Sequence, residues 1–273
     1  MKHKQKTRIS LALLLFGLML TLLVKGVGNL FGSMDNGILS KEISEKHVTK
    51  DSPSENIFYD NFGVTIPFSY KVHGIDVSKH QVNINWKQVE DMHMKGVRLS
   101  FAFIKASEGA TRPDASFQRN WKEIGNTRLL RGAYHFFRPM KDPRVQANLF
   151  MSQVTLKRGD LPPVVDIERG NRMSSVKIRQ NLQKFLDILE NKYAVKPIIY
   201  TNLSFYSKHL AGNFKKYPVW IAYYLGDPFQ LPDSRNWSFW QYTEKGNVNG
   251  IRGNVDFNVF HGNINQLKSL CKK

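Results

Sequence analysis

Apolar and polar positions along the chain follow two alternating patterns from residue 72 onwards. Short apolar runs bounded by turn residues predict buried strands over residues 72–77, 98–106, 132–137, 163–168 and 197–201. Apolar residues that recur every three or four positions predict helices between these strands. The clearest helix covers residues 174–193, and weaker helices cover residues 86–95, 117–126, 143–156 and 203–210. Five units of strand and helix predict a parallel sheet with crossover helices.

The pattern changes after residue 210. Residues 217–224, 237–243 and 255–260 predict three further strands, with no room for helices between them. Because eight strands are enough to close a barrel, we predict an α/β fold, a modified TIM-like barrel with eight strands and five helices, (β/α)5(β)3. The active sites of such barrels lie at the carboxyl ends of the strands.

The first 70 residues differ in character from the predicted barrel. A basic segment over residues 1–8 precedes an apolar run over residues 9–24, which indicates an export signal. Since no small-residue cleavage site follows, we expect residues 1–25 to remain as a membrane anchor, with cleavage and secretion as the alternative. The positive-inside rule places the rest of the chain outside the inner membrane, in the cell envelope. Residues 26–70 are predicted to be a spacer ending in an aromatic segment, and residues 71–273 the barrel domain.

The chain is strongly basic, with 40 lysines and arginines against 22 aspartates and glutamates and a formal charge of +18. Positive charge on an exported domain favours an anionic surface such as a cell wall or lipid headgroups. Nucleic acid is the competing partner, but the basic residues are scattered and accompany no helix-turn-helix, zinc-finger or RNP pattern. We therefore predict no nucleic acid binding. The single cysteine, Cys271, allows no intramolecular disulfide, and we expect a monomer.

Two carboxylates end the apolar run over residues 161–168. Asp166 and Glu168 are two positions apart, so on a strand their side chains share a face, with Cα atoms roughly 6.5 Å apart. Burying acids among apolar side chains is costly unless they are paired or protonated, and two close carboxylates raise the pKa of one of them. Such a pair suits general acid catalysis. An acidic strand end that is paired with lysine or arginine is the alternative interpretation.

Further polar and aromatic residues fall at or near the carboxyl ends of the other predicted strands. They are Asp76, Tyr134, His135, Tyr200, Trp220, Tyr223, Gln241 and Asp256. Together with the first pair they place four carboxylates among aromatic rings on one face of the barrel. The histidines His73, His80 and His135 lack the ligand spacings of a metal site, so we predict no metal and no cofactor.

Several segments resemble, in the same order, the signatures of family 25 glycoside hydrolases, which are lysozymes of the N-acetylmuramidase type. They include His73-Gly-Ile-Asp-Val-Ser78, Phe103-Ile-Lys-Ala-Ser-Glu-Gly109, Gly132-Ala-Tyr-His-Phe136, Val165-Asp-Ile-Glu168 and Val255-Asp-Phe-Asn258. The resemblance extends over about residues 72–262 and implies a barrel of eight strands and five helices. It also implies cleavage of the β-1,4 bond between N-acetylmuramic acid and N-acetylglucosamine in peptidoglycan.

The same resemblance implies roles for individual residues. Glu168 would be the general acid, and Asp166 would act as a nucleophile or orient the 2-acetamido group of the substrate. Asp76 and Asp256 would line the site, hold water or sugar hydroxyls and favour the protonated form of Glu168. The predicted substrate-binding residues are Tyr134, Tyr200, Trp220, Tyr223 and Gln241.

Two other functions stay open at this point. An endo-acting N-acetylglucosaminidase or chitinase-like hydrolase also uses an Asp-x-Glu pair on its fourth strand, although the order of the motifs fits the muramidases better. A non-catalytic, membrane-tethered wall-binding module would keep the groove without cleaving, but the intact acids argue against it. Val82 and Asn85 depart from the residues usual in the family, which bears on the shape of the first loop and so on substrate detail.

Overall fold

The computed structural model describes residues 56–59, 62–94, 96–226 and 230–273. The predicted export segment, residues 1–25, and residues 26–55 of the predicted spacer lie outside the described residues. Within the described ranges, no helix is both long and apolar enough to cross a membrane.

Strands are short and regularly spaced along the described chain. In order, they are β1 (Asn56–Tyr59), β2 (Val64–Pro67), β3 (Val72–Val77), β4 (His93–Met94), β5 (Val97–Glu108), β6 (Arg112–Pro113), β7 (Leu130–Phe136), β8 (Val164–Asp166), β9 (Ile198–Asn202), β10 (Val219–Ala222), β11 (Phe239–Gly246) and β12 (Val255–Phe260). The helices are α1 (Trp86–Asp91), α2 (Phe117–Ile124), α3 (Pro143–Gln153), α4 (Ser175–Tyr193), α5 (Leu203–Phe205) and α6 (Ile264–Leu270).

Eight of these strands close a barrel, in the order β3, β12, β11, β10, β9, β8, β7 and β5, with β5 pairing back to β3. Neighbouring strands are parallel except that β12 runs antiparallel to both β11 and β3. The predicted eight-stranded, TIM-like barrel is confirmed. The register of the closing pair places Asp256 directly opposite Asp76, and the register of β8 and β9 places Asp166 opposite Tyr200.

The barrel interior is filled by aromatic rings from several strands. Phe101 and Phe103 of β5, Trp220 of β10 and Phe239 of β11 are buried there, with ring centroids 4.8 to 6.1 Å apart in the contacting pairs. Glycines on the neighbouring strands make room for two of these rings. A Cβ at Gly74 would lie 2.4 Å from the Phe101 ring, and one at Gly132 would lie 2.3 Å from the Phe103 ring. The two glycines therefore allow the interior to hold large aromatic side chains.

A second apolar layer lies between the sheet and the helices. Helix α4 contributes more buried residues to it than the other described helices do, because Ile178, Leu182, Phe185 and Leu189 recur on one face and are fully buried. Its first turn is capped by Ser174, whose hydroxyl accepts a hydrogen bond from the backbone N–H of Lys177. Such a cap stabilises a helix by about 1 kcal/mol.

Several elements differ from those expected from the sequence. Helix α1 ends at Asp91, not at residue 95, because His93 and Met94 form β4 and pair with β5. The regular part of α5 is only three residues long, and the chain continues as a π-helical segment over Tyr206–Leu210. Helix α6, which the apolar pattern did not indicate, is fixed by a capping box between Asn263 and Gln266.

The flank of the barrel formed by β11 and β12 is covered by the segment that precedes β3. Phe62 is fully buried and its ring meets the Phe257 ring of β12 at 5.4 Å. Its backbone carbonyl accepts a hydrogen bond from the N–H of Asn247, 2.7 Å away. Further along, the Tyr70 ring packs against Trp237 and Trp240, at 5.3 and 6.0 Å. Apolar side chains before β3 thus take the place that crossover helices hold on the other flank.

Candidate active site

A cleft of about 220 Å³ opens at the carboxyl ends of the barrel strands. It brings together Asp76, Tyr134, Asp166, Glu168, Tyr200, Trp220 and Asp256 from the set expected from the sequence. It is also lined by Ser78, His80, Lys105, Phe136 and Val164. Three larger cavities lie elsewhere on the described surface, and none of them contains a predicted site residue.

Asp166 and Glu168 form the first acidic pair in the cleft. Asp166 is the last residue of β8, and its backbone carbonyl accepts a hydrogen bond from the N–H of Phe137, 2.7 Å away. Glu168 lies two residues beyond it, past the end of the strand, and is half-buried. The two carboxyl groups are close enough to share a hydrogen bond.

The environment of Asp166 favours its protonated form. Burial raises the pKa of Asp166 well above its usual range, and the nearby charge of Glu168 raises it further, while Lys105 opposes the shift. The Oδ1 atom of Asp166 is buried and receives no hydrogen bond from any donor among the described residues. A buried oxygen of this kind is satisfied when a donor enters the cleft.

Asp76 and Asp256 form the second acidic pair, across the antiparallel contact of β3 and β12. Burial raises the pKa of Asp76 to about 6, although hydrogen bonds from Asn258, Gln241 and Asp256 lower it. Burial and the neighbouring Asp76 raise the pKa of Asp256 to about 9. Because both pKa values are raised and the two carboxyl groups interact directly, the pair favours a state in which one of them is protonated and the other carries the negative charge.

A buried hydrogen-bond network holds the Asp76 carboxylate from behind. Its Oδ2 atom accepts hydrogen bonds from the amides of Gln241 and Asn258, both at 2.8 Å. Gln241 in turn accepts hydrogen bonds from the hydroxyls of Tyr200 and Tyr224. Asn258 accepts a hydrogen bond from the indole N–H of Trp220 at 2.9 Å. Gln241 thus positions Asp76 and is not among the residues that line the cleft. Contact between Gln241 and substrate stays a prediction.

The aromatic residues on β10 and the segment after it fall on two sides of the sheet. Trp220 belongs to the barrel interior, but Tyr223 packs on the outer apolar layer, away from the cleft. The next residue, Tyr224, points inward and reaches Gln241. The alternation of side chains along a strand, counted from Trp220, indicates Tyr224 and not Tyr223 as the inward residue. Sequence reasoning also missed Asn258, because its place behind Asp76 depends on strand register.

The histidines are dispersed around the barrel. His73 donates a hydrogen bond from Nε2 to the Tyr70 carbonyl at 2.8 Å, and burial lowers the pKa of His73 to about 4. His135 contacts Ser107 and Gln146, and burial likewise lowers its pKa to about 4. His80 alone of the three lines the cleft. Among the residues that the structure describes, no three His, Cys, Asp or Glu side chains are grouped as metal ligands would be.

An eight-stranded barrel with two pairs of carboxyl groups at the carboxyl ends of its strands suits a hydrolase that works by acid and base chemistry. Residues 75–251 match the glycosyl hydrolases of family 25. The chain belongs to this family and is a glycoside hydrolase, as the motifs indicated.

Relatives span bacteria and fungi. Uncharacterized protein YegX of Escherichia coli K12 is 44% identical over 212 residues, which cover 77% of this chain and 77% of that protein. Lysozyme M1 of Streptomyces globisporus is 33% identical over 214 residues, which cover 73% of this chain and 71% of that protein. The solved structure of a family 25 glycosyl hydrolase from Bacillus anthracis is 31% identical, with a TM-score of 0.68. The match covers 74% of this chain and 94% of the Bacillus anthracis chain.

Proposed function

We propose that the protein is a peptidoglycan hydrolase, a lysozyme that cleaves the β-1,4 bond between N-acetylmuramic acid and N-acetylglucosamine. The observation that carries the proposal is the presence of two acidic pairs, Asp166 with Glu168 and Asp76 with Asp256, in one cleft. The relatives named as lysozymes support the choice of polymer.

Hydrolysis of a glycosidic bond needs a proton for the leaving oxygen and negative charge beside an oxocarbenium-like transition state. In the proposed mechanism, Glu168 gives the proton, since it is the more exposed member of the first pair. The proton is shared with Asp166 while the cleft is empty. When an acetamido N–H of the substrate donates to the unpartnered Oδ1 of Asp166, that carboxylate is stabilised and the proton moves to Glu168.

Asp166 then orients the acetamido group, whose carbonyl oxygen attacks the anomeric carbon as the bond to the leaving oxygen breaks. Water next attacks the anomeric carbon of this cyclic intermediate and gives a proton to the Glu168 carboxylate, and the bond to the acetamido oxygen breaks. The second pair contributes its single negative charge to the opposite wall of the cleft. Asp76 cannot turn away from the sugar because Gln241 and Asn258 both donate to it. Tyr134 and Tyr200, which line the same space, offer ring faces to the sugars.

Mass spectrometry of the fragments released from purified peptidoglycan tests the proposed bond specificity. Fragments with muramic acid at the reducing end are the expected result. N-acetylglucosamine at the reducing end would instead identify an endo-N-acetylglucosaminidase. Release of no fragments, together with binding to the polymer, would identify a wall-binding module. Glu168→Gln serves as the control for contaminating hydrolases.

We also propose that the enzyme is exported and stays tethered to the inner membrane through residues 9–24, facing the cell wall as a monomer. The support is the basic segment followed by an apolar run without a small-residue cleavage site. Amino-terminal sequencing of the native protein and a carbonate wash of membranes test it. A mature chain that begins after residue 25 and washes off in soluble form would contradict the tether.

A further inference from the structure

Three cations surround one carboxylate at the carboxyl ends of β5 and β7. Lys105, Arg112 and Arg138, which we name the cationic edge, contact the carboxylate of Glu108 at 2.9, 2.9 and 2.6 Å. Although burial raises the pKa of Glu108, its hydrogen bonds with Arg138 and Lys105 bring it down to about 2. Glu108 is therefore ionised at neutral pH, and the cluster still carries two positive charges in excess.

The cationic edge is continuous with the wall of the cleft. Lys105 and Phe136 line the cleft directly. The Lys105 ammonium lies 4.9 Å from the centre of the Phe136 ring, and the Arg138 guanidinium lies 4.5 Å from it. Exposure of the side chains increases from 16% at Lys105 to 25% at Arg138 and 66% at Arg112. The edge therefore leads from the cleft wall outward to solvent.

The donors of the cationic edge exceed what Glu108 can accept. Each arginine has five N–H donors and each lysine has three, while one carboxylate accepts about four hydrogen bonds. A second anion can therefore be bound without displacing Glu108, and arginine suits a carboxylate through paired N–H donors. The negative charge that remains on the acids of the cleft repels an anion from the reaction centre itself, so the edge is the favourable place for a negatively charged group on the sugar chain.

We propose that the cationic edge binds carboxylates of the peptide that is attached to the lactyl group of N-acetylmuramic acid. The inference rests on the proposed function and adds a substrate preference to it: glycan that carries acidic peptides is cleaved more efficiently than bare glycan. Lys105 holds the edge against the cleft, and Arg112 and Arg138 contact the peptide as it leaves the cleft towards solvent.

Steady-state cleavage of two soluble glycans tests this preference. One glycan carries its peptides, and the other is the same preparation after an amidase has removed them. The quantity compared is the ratio of kcat/KM on the two substrates. For Arg112→Gln we expect this ratio to fall by about 2- to 5-fold at low ionic strength, the range for one exposed charge pair. For the double variant Arg112→Gln and Arg138→Gln it should fall further, and added salt should shrink both effects.

Arg119→Gln is a matched control. Arg119 makes the same kind of pair with a glutamate four residues away, Glu123, at 2.9 Å, is 48% exposed, and lies on α2 outside the cationic edge. The variant also removes one positive charge, so we expect it to keep the wild-type ratio.

The possible results separate the two proposals. A double variant whose ratio equals that of the wild type overturns the role of the cationic edge. If kcat/KM has also fallen by the same factor on both glycans, the cluster is purely structural. A wild-type enzyme that cleaves bare glycan as efficiently as peptide-bearing glycan overturns that role too. Cleavage of neither glycan by the wild type contradicts the proposed function itself.

Discussion

Replacing Asn258 with leucine should move the acidic limb of the pH profile without removing any carboxyl group. The Asn258 amide donates to Oδ2 of Asp76 at 2.8 Å. Burial raises the pKa of Asp76, this hydrogen bond lowers it, and the net result is a pKa of about 6. Leucine has nearly the same shape and no donor. The carboxylate form of Asp76 therefore loses stabilisation, and its pKa must rise.

The size of the shift follows from the strength of one buried, charge-assisted hydrogen bond. Such a bond contributes about 1.5 to 3 kcal/mol, which corresponds to about 1 to 2 pKa units. If the ionised form of Asp76 is required, the acidic limb of kcat/KM should move from near pH 6 towards about pH 7 to 8. At pH values well below the pKa of Asp76 in both proteins, kcat/KM of the variant should be about 10- to 100-fold lower than that of the wild type. This difference between the two proteins should narrow as the pH rises towards 8.

The assay is kcat/KM on soluble glycan between pH 4 and pH 9, because this parameter reports on groups of the free enzyme. Asn120→Leu is the matched control, since Asn120 is fully buried and its side-chain oxygen accepts a hydrogen bond from the indole N–H of Trp86 at 3.2 Å. Both variants leave a tryptophan N–H unpaired, and only Asn258→Leu touches Asp76. Superimposable profiles of wild type and Asn258→Leu would refute the reasoning.

Three further outcomes are expected. Glu168→Gln should keep the fold and lose about 10² to 10⁴-fold in turnover, as for a missing general acid, and unchanged fragment release by the folded variant would remove Glu168 from that role. Asp166→Asn should lose most of its turnover while substrate still binds. A thiazoline analogue of the sugar should inhibit the wild type, because it resembles the cyclic intermediate. A glycosyl adduct trapped on Asp166 would instead establish Asp166 as a nucleophile. Phe62→Ala should lower the free energy of unfolding in urea by about 3 to 5 kcal/mol, because Phe62 is fully buried against the barrel, and a loss below about 1 kcal/mol would show that this segment adds little.

The barrel could be predicted because its elements are locally encoded. Helix α4 repeats its apolar residues every three or four positions over five turns, and β3 and β12 are short apolar runs between turns. Elements that depend on a partner strand were missed. His93 and Met94 form β4 only because β5 lies beside them, so the local pattern extended α1 through these residues.

The acids of the candidate site were predictable, but their surroundings were not. Asp166 and Glu168 are neighbours in sequence, whereas Asn258 meets Asp76 across 182 positions of chain. The inward direction of Tyr224 and the outward direction of Tyr223 could have been predicted from Trp220, since alternate residues of a strand share a face. The role of Gln241 behind Asp76 could not be predicted, because it depends on the register of strands that are far apart in sequence.

The pairing of Asp76 with Asp256 has a consequence for the biosynthesis of the protein. The two residues lie on the first and last strands of the barrel, so the acidic quartet is complete only after β12 has added to β3. A growing chain on the ribosome contains Asp76, Asp166 and Glu168 before Asp256 has been added. Contacts of such long sequence separation slow folding, because the entropy of closing a long loop must be overcome before they form. The cleft of this hydrolase is therefore complete only when synthesis has passed residue 258 and the two ends of the barrel have joined.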